Sequence, residues 1–170
     1  MGFGETPATF GARNNPDRDA VFAASLAIVG QAVGLPIDAF ENHEEIALTT
    51  KPTKLHETVI AAGTVGGQRH TVTGLSNGKP VMRFRSNWYV TTDLEPEWDL
   101  RADGWRVLVE GDAPLDISIS FPIPVADRPM VLPRLTAHRP VNAIAAVCAA
   151  APGIATTADL PQIISKLRHV

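Results

Sequence analysis

Two stretches of alternating apolar and polar residues meet at Asn77-Gly78, within residues 63–90. An Asn-Gly pair between two extended runs is typical of a two-residue hairpin turn, because both turn positions require a positive φ. Counting outward from the turn places Thr73 opposite Met82. The pattern therefore predicts a long antiparallel hairpin with a defined register.

This register gives the hairpin two different faces. The first is expected to be the core face and carries these residues: Thr71, Thr73, Met82, Phe84, Ser86, Trp88 and Val90. The second carries most of the polar groups: Gln68, His70, Val72, Val81, Arg83, Arg85, Asn87 and Tyr89. Three roles are open for this polar face: a solvated surface, the wall of a pocket or a contact with another subunit.

Helical and extended patterns flank the hairpin. Apolar residues at helical spacing predict a helix over about residues 16–34, and a strand is predicted at residues 45–50. Residues 105–110 and 115–121 are predicted to form a second hairpin. The alternation in the second strand of that hairpin indicates one buried apolar face.

Prolines mark the last third of the chain. They predict an extended crossover for residues 122–134, because proline restricts its own φ and the conformation of the residue before it. A helix is predicted from about residue 136 to Ala150, with Pro140 in its first turn. Its start, residues 136–142, would present unpaired backbone N–H groups, which favour anionic or carbonyl groups.

Together these elements predict an α+β fold. We expect a mostly antiparallel, open β-sheet of about four to six strands with helices packed on one face. The 170 residues include 45% apolar residues, which suits one domain with a hydrophobic core. Because no internal repeat or linker-like segment interrupts the sequence, residues 1–170 are predicted to form a single domain.

Composition and charge exclude several classes of protein. A net charge of -3 with mixed signs argues against nucleic acid or an anionic membrane as a partner. The single cysteine, Cys148, excludes an internal disulfide and fits a reducing compartment, and its apolar surroundings predict a buried structural thiol. Since neither a secretory signal nor a membrane-length apolar run is visible, we expect a cytoplasmic protein.

The residues do not form a recognisable catalytic constellation. The five histidines fall in different elements, and neither a nucleophile elbow nor a phosphate-cradling glycine loop occurs, so no catalytic residue is assigned. His43 lies near several glutamates, but the loose spacing argues against a metal site. The polar hairpin face offers the candidate substrate-binding residues: His70, Arg85, Asn87 and Tyr89.

Three segments are similar to one enzyme family. Residues 136–154, TAHRPVNAIAAVCAAAPGI, resemble the C-terminal signature of the dihydrodipicolinate-reductase-like NAD(P)-dependent dehydrogenases, a group with 2,4-diaminopentanoate dehydrogenase and the native amine dehydrogenases. Residues 62–69 and 78–81 resemble the sheet region of the group. The chain departs from the pattern at Ala145 and Ala151, where proline is expected.

The resemblance covers only the second half of such an enzyme. In the family, a Rossmann half binds NAD(P) and supplies the main catalytic acid, while the second half closes the active site and dimerises. The resemblance thus implies a substrate-binding and dimerisation domain, with Met1 either an internal methionine of a longer protein or an artificially placed start. It also implies a homodimer through the β-sheet.

The implied activity is oxidation or reduction of an amine, imine or carbonyl substrate with NADP or NAD, only in the context of a full-length enzyme and with no metal. His138 and Asn142 would then be cofactor-binding residues at the helix start. The chain alone is not expected to be active. The alternative from another class is a stand-alone, non-catalytic binding module for a small apolar ligand.

Overall fold

The computed structural model describes most of the chain. It covers residues 2–12, 17–55, 57–100, 104–156 and 159–161, with the side chains of residues 17–21 and 125 left aside. The chain divides into two compact units, Met1–Leu100 and Arg101–Val170. Each unit is described by itself, and the expectation of a single domain stays a prediction.

The first unit contains a four-stranded antiparallel sheet with the order β5-β4-β1-β6 and a small two-stranded ribbon, β2-β3. Its elements in chain order are α1 (Pro7–Gly11), α2 (Asp17–Ala32), β1 (Ala39–Thr49), β2 (Thr53–Leu55), β3 (Thr58–Ile60), β4 (Val65–Ser76), β5 (Lys79–Tyr89) and β6 (Leu94–Glu95). The predicted helix is α2, although its predicted start at Pro16 lies outside the described residues. The strand predicted at residues 45–50 is the second half of a longer β1.

The turn between β4 and β5 forms as predicted. Asn77 and Gly78 have φ values of 51° and 72°, the left-handed conformation that this pair tolerates. The backbone N–H of Asn77 also donates a hydrogen bond to Oδ2 of Asp38, at 2.7 Å. The hairpin is therefore specified by its turn and is connected there to the start of β1.

The register beyond the turn was predicted wrongly by one residue. A β-bulge between Gly74 and Leu75 makes Leu75 pair with Pro80 and Gly74 with Met82, so Val81 is the extra residue. Pro80 lacks an N–H and cannot donate to the ladder, which explains why the irregularity occurs there. Because side chains alternate along a strand, this shift exchanges the faces of the two strands relative to each other.

One face of the resulting sheet is covered by α2. It carries Gln68, His70 and Val72 from β4, with Phe84, Ser86 and Trp88 from β5. The ring of Phe22 in α2 stacks on Phe84 with centroids 4.9 Å apart and lies 6.0 Å from Trp88. We call this the helix-covered face. It is the core side of the sheet.

The other face lies away from α2, and we call it the open face. It carries nine residues in three columns, Glu41, His43 and Glu45 on β1, Arg69, Thr71 and Thr73 on β4, and Arg83, Arg85 and Asn87 on β5. Its end near Ala47 is closed by a buried cluster in which Ala47 packs with Leu94 and Trp98. Most of the polar groups of the sheet therefore share one accessible surface.

The second unit contains a hairpin and a long helix. The hairpin consists of β7 (Trp105–Val109) and β8 (Leu115–Ile119), as predicted, and a 3-10 turn (Val125–Asp127) precedes α3 (Arg128–Ala149). One side of the hairpin carries only apolar side chains: Trp105, Val107, Val109, Leu115, Ile117 and Ile119. The prediction that this apolar face is buried was wrong, because all six side chains are exposed.

Helix α3 begins well before the predicted position. The segment predicted to be an extended crossover includes its first turns, and Pro133 and Pro140 lie inside the helix. A proline inside a helix removes its own N–H donor and its ring crowds the carbonyl four residues earlier, and on an exposed helix that unpaired carbonyl can bind water. The predicted end is confirmed, since Ala150 is already extended.

These elements confirm an α+β fold with a mostly antiparallel open sheet. Among the helices that the structure describes, none combines the length and the apolar character needed to cross a membrane.

Candidate functional site

The open face separates its charges by strand. The pairing of β1 with β4 places Glu41 beside Thr73, and the pairing of β4 with β5 places Thr73 beside Arg83. The next row on the same face contains His43, Thr71 and Arg85. Carboxylates thus lie on β1, guanidinium groups lie on β5, and two small hydroxyl side chains lie between them.

Arg69 occupies the third row and is held from several sides. Its Nε donates to Oδ1 of Asn87 at 2.8 Å, and an Nη atom lies 3.8 Å from Oε2 of Glu45. Its guanidinium carbon is 4.3 Å from the centroid of the Trp98 ring, a cation–π geometry. Burial lowers the pKa of Arg69, opposed by Glu45, but a guanidinium remains protonated at physiological pH.

The last row of the face is closed by aromatic packing. A Cβ atom at Gly67 would lie 2.8 Å from the Trp98 ring and 2.9 Å from Leu94 Cδ1, so only glycine fits without a shift. Tyr89, which pairs with Gly67, is half-buried against the same cluster. The accessible polar part of the face therefore begins at Arg69.

His70 lies on the opposite side of the sheet from the other predicted substrate residues. Its side chain is buried on the helix-covered face, with Nε2 3.1 Å from Oε1 of Glu44 and its ring 5.3 Å from that of Trp88. The β-bulge therefore divides the four predicted substrate-binding residues between the two faces of the sheet. Arg85, Asn87 and Tyr89 share the open face, and His70 belongs to the core.

The predicted cofactor residues, His138 and Asn142, lie in the middle of α3. The expected helix N-terminus at residues 136–142 was wrong, because the helix already begins at Arg128. The side-chain amide of Asn142 donates to the backbone carbonyl of His138 at 2.6 Å, within the same helix. The two side chains are exposed. Their contact with a dinucleotide stays a prediction, but the helix N-terminus that suggested this contact lies elsewhere, at Arg128.

Two further expectations concern ligating groups. Cys148 was predicted to be buried, but it is exposed on α3. Within the described ranges, no group of three His, Cys, Asp or Glu side chains is arranged to hold a metal ion. Neither feature adds chemistry to the open face.

Three residues of the open face, Glu41, Glu45 and Arg69, were not identified as site residues from the sequence. Glu41 and Glu45 join the site only through the long-range pairing of β1 with β4, which no local pattern specifies. The alternation of Glu41, His43 and Glu45 was the available signal for an extended strand with one charged side. Arg69 was not selected as a site residue. It is adjacent to His70 along β4, and its side chain therefore points to the opposite face of the sheet.

Comparisons with known proteins agree on one family. Residues 12–169 match the family described as 2,4-diaminopentanoate dehydrogenase C-terminal domain. An amine dehydrogenase from Streptomyces virginiae is 25% identical over 146 residues, which cover 83% of this chain and 41% of that protein. The chain therefore spans less than half the length of this relative.

A solved structure shows the same fold. The amine dehydrogenase from Mycobacterium smegmatis superposes with a TM-score of 0.67 at 20% identity, over 96% of this chain and 45% of that one. The resemblance to the C-terminal half of this dehydrogenase group is thus confirmed. Because the family match extends over most of its length, the chain belongs to the 2,4-diaminopentanoate dehydrogenase C-terminal domain family.

Proposed function

We propose that this chain is the substrate-binding and dimerisation domain of an NAD(P)H-dependent oxidoreductase that acts on an amine, imine or carbonyl substrate. The observation that carries the proposal is the match of nearly the whole chain to less than half of two amine dehydrogenases. In this proposal the remainder of such an enzyme binds the dinucleotide. Hydride transfer then depends on both halves.

The described residues support this division of labour. The part of the chain that the structure describes has no glycine-rich loop between a strand and a helix, the usual seat of a pyrophosphate. His138 and Asn142 lack the helix N-terminus that would favour an anion there. Both features favour a dinucleotide site, for NADP or for NAD, formed by the remainder of such an enzyme.

A ligand titration tests this part of the proposal. NADPH added to residues 1–170 is expected to give no saturable change in fluorescence at micromolar concentrations. The protein encoded by the complete reading frame is expected to reduce NAD⁺ or NADP⁺ in the presence of a primary amine. Saturable micromolar binding by residues 1–170 alone would contradict the division into two halves.

We further propose that the open face is the surface through which two copies associate. Arg83 and Arg85 are exposed on a sheet face that α2 does not cover, and the side chains between the charged columns, half-buried Thr71 and buried Thr73, are short. Residues of this kind do not form a hydrophobic core. They suit a polar contact between subunits.

Charge reversal tests the association. The double variant Arg83→Glu, Arg85→Glu is expected to be monomeric by light scattering under conditions in which the unaltered chain is dimeric. The matched control is Arg134→Glu, Arg139→Glu, which reverses two exposed arginines on α3 and should leave the mass unchanged. If the Arg83→Glu, Arg85→Glu variant remains dimeric, the open face is not part of the interface.

One observation favours the alternative of a stand-alone binding module for a small apolar ligand. The second hairpin exposes six apolar side chains on one side, a surface that an apolar ligand would cover. The genomic sequence distinguishes the two functions. An in-frame dinucleotide-binding segment directly upstream supports the oxidoreductase domain, and a stop codon there supports the binding module.

A further inference from the structure

The hairpin of β7 and β8 has one apolar side that is exposed, and we call this side the apolar strip. It consists of three cross-strand pairs: Trp105 with Ile119, Val107 with Ile117, and Val109 with Leu115. The six side chains are between 41% and 61% exposed. Together they present on the order of 400 Å² of apolar surface, a size at which exposed patches are often functional.

The opposite side of the hairpin is polar. The Nε and an Nη atom of Arg106 donate to the two carboxylate oxygens of Asp116, at 2.8 and 2.6 Å. This bidentate pair joins the two strands on the side away from the strip. The hairpin is therefore amphipathic, with one side suited to water and the other suited to packing.

The second unit does not supply a core for the apolar strip. None of the side chains that the structure describes within residues 104–161 is buried. A two-stranded hairpin is marginally stable in water unless a further strand or another element packs on its apolar side. The hairpin therefore needs a lasting partner surface.

The strand edges support the same conclusion. β5, at the edge of the main sheet, carries features that oppose the addition of another strand: a proline, a β-bulge and the cations of Lys79, Arg83 and Arg85. β7 and β8 contain neither proline nor lysine, and their pairing has no bulge. An unprotected hairpin of this kind is typical of a surface that is covered in the assembled protein.

The size of the apolar strip distinguishes between possible partners. A contact over the whole strip would bury about 800 Å² on the two sides together, less than the roughly 1,200 Å² at which stable complexes of separate proteins begin. It lies within the range of about 600 to 1,500 Å² for contacts between domains of one chain. A covalent connection holds such domains at about millimolar effective concentration, so a small contact is sufficient.

A small ligand is a less suitable partner for the apolar strip. Ligand sites are concave and enclose most of the ligand surface. The two strands of the hairpin form a single layer, which can contact a small molecule from one side only. Size and shape therefore both favour a domain of the same polypeptide.

The relatives are long enough to contain such a domain. This chain spans 41% of the Streptomyces virginiae amine dehydrogenase and 45% of the Mycobacterium smegmatis amine dehydrogenase. More than half of each of those proteins thus lies outside the part that corresponds to this chain.

We infer that the apolar strip packs against the dinucleotide-binding half of the proposed enzyme, as a contact within one polypeptide. The inference rests on the proposed oxidoreductase and identifies a surface that joins its two halves. The strip then forms the hydrophobic centre of the contact. The Arg106–Asp116 pair remains on the side of the hairpin that faces water.

Hydrogen exchange measured by mass spectrometry tests the inference on two proteins, residues 1–170 and the product of the complete reading frame. Amides of residues 105–119 should exchange at least about tenfold more slowly in the complete protein, because docking suppresses local opening of the hairpin. This comparison of unaltered proteins does not depend on the folding of any variant.

A matched pair of variants of the complete protein locates the contact. Val107→Glu, Ile117→Lys places opposite charges at one cross-strand pair, so it permits strand pairing but opposes burial of the strip. This variant should lose the slow exchange of residues 105–119. Leu108→Lys, Ser118→Glu introduces the same two charges on the polar side and should retain it.

The outcomes separate the docking of the hairpin from the proposed function. Equal exchange of the hairpin in both proteins overturns the inference, and it leaves the oxidoreductase intact if the complete protein reduces NAD⁺ or NADP⁺. Slow exchange that already occurs in residues 1–170 and increases with concentration overturns the inference in favour of a second copy. Slow exchange that survives Val107→Glu, Ile117→Lys excludes the apolar strip as the contact. A stop codon directly upstream overturns both proposals.

Discussion

Replacement of His70 by alanine tests the assignment of the two sheet faces. His70 is 2% exposed and lies under α2, beside the rings of Phe22 and Trp88. Its Nε2 also lies 3.1 Å from a carboxylate oxygen of Glu44. The substitution therefore removes a buried ring and its polar contact with Glu44, and it leaves the open face unchanged.

The expected loss of stability combines two contributions. Truncation of a buried aromatic side chain to alanine costs about 3–5 kcal/mol, and the smaller, more polar imidazole should lie nearer 2–3 kcal/mol. Loss of the contact with Glu44 adds about 1 kcal/mol at most, because the Glu44 side chain is 44% exposed and water can replace the histidine. The free energy of unfolding should fall by about 3 kcal/mol.

Urea denaturation followed by tryptophan fluorescence measures this change, since Trp88 lies beside His70. With a slope of about 1.5 kcal/mol per molar urea, the midpoint should fall by about 2 M. The matched control is Arg85→Ala on the open face, which should change the free energy of unfolding by less than about 0.5 kcal/mol. A larger effect for Arg85→Ala than for His70→Ala would refute the register and the face assignment.

Two further changes probe the closed end of the sheet and a surface ion pair. Gly67→Ala should destabilise the fold by about 1–3 kcal/mol and shift tryptophan emission, because its Cβ would meet Trp98; Gly11→Ala, with open space around it, is the control. The ammonium group of Lys51 lies 2.9 Å from the carboxylate of Asp93 and holds the pKa of Asp93 below its usual range. This pair therefore stabilises the fold at pH values above the pKa of the unfolded carboxyl group. The stabilisation is lost as the pH falls through the pKa of Asp93 in the folded state. In the Lys51→Ala variant the free energy of unfolding should therefore fall less steeply below about pH 4 than in the unaltered chain. An unchanged acid profile would contradict this.

The two hairpins were predictable because their signals are local. Asn77-Gly78 adopts the left-handed conformation that its sequence favours. The alternation of apolar residues in β7 and β8 was also sufficient to predict their pairing. In both cases a few neighbouring residues determine the chain direction, and no distant contact is needed.

The register of the first hairpin could not be obtained in the same way. The bulge at Gly74 depends on Pro80 across the ladder and on Ile37, whose side chain would lie 2.9 Å from a Cβ atom at position 74. Ile37 is distant in sequence and reaches this site only when the sheet is complete. Its packing at Gly74 could not be predicted from a local pattern.

The start of α3 was missed for a different reason. Pro129 and Pro133 favour an extended chain when only local conformational preferences are considered. Pro129 lies in the first turn of the helix, where the missing N–H has no consequence. Pro133 lies in the interior of the helix. The predicted cofactor site at residues 136–142 depended on the later start and lost its basis with it.

The open face was found only in part from the sequence. Arg85, Asn87 and Tyr89 were identified correctly as neighbours, because they alternate along one strand. His70 was added through the wrong register, and Glu41 was missed because β1 approaches only through a long-range pairing. Polar residues on one strand are thus predictable as a group, whereas their cross-strand neighbours require the fold.

Sedimentation equilibrium of the unaltered chain tests directly whether the open face joins two copies of this chain. The chain has a mass of 18.2 kDa. Twice that mass is expected over a range of loading concentrations, and the monomer mass is expected for the Arg83→Glu, Arg85→Glu variant. A monomer mass for the unaltered chain at every concentration would contradict it.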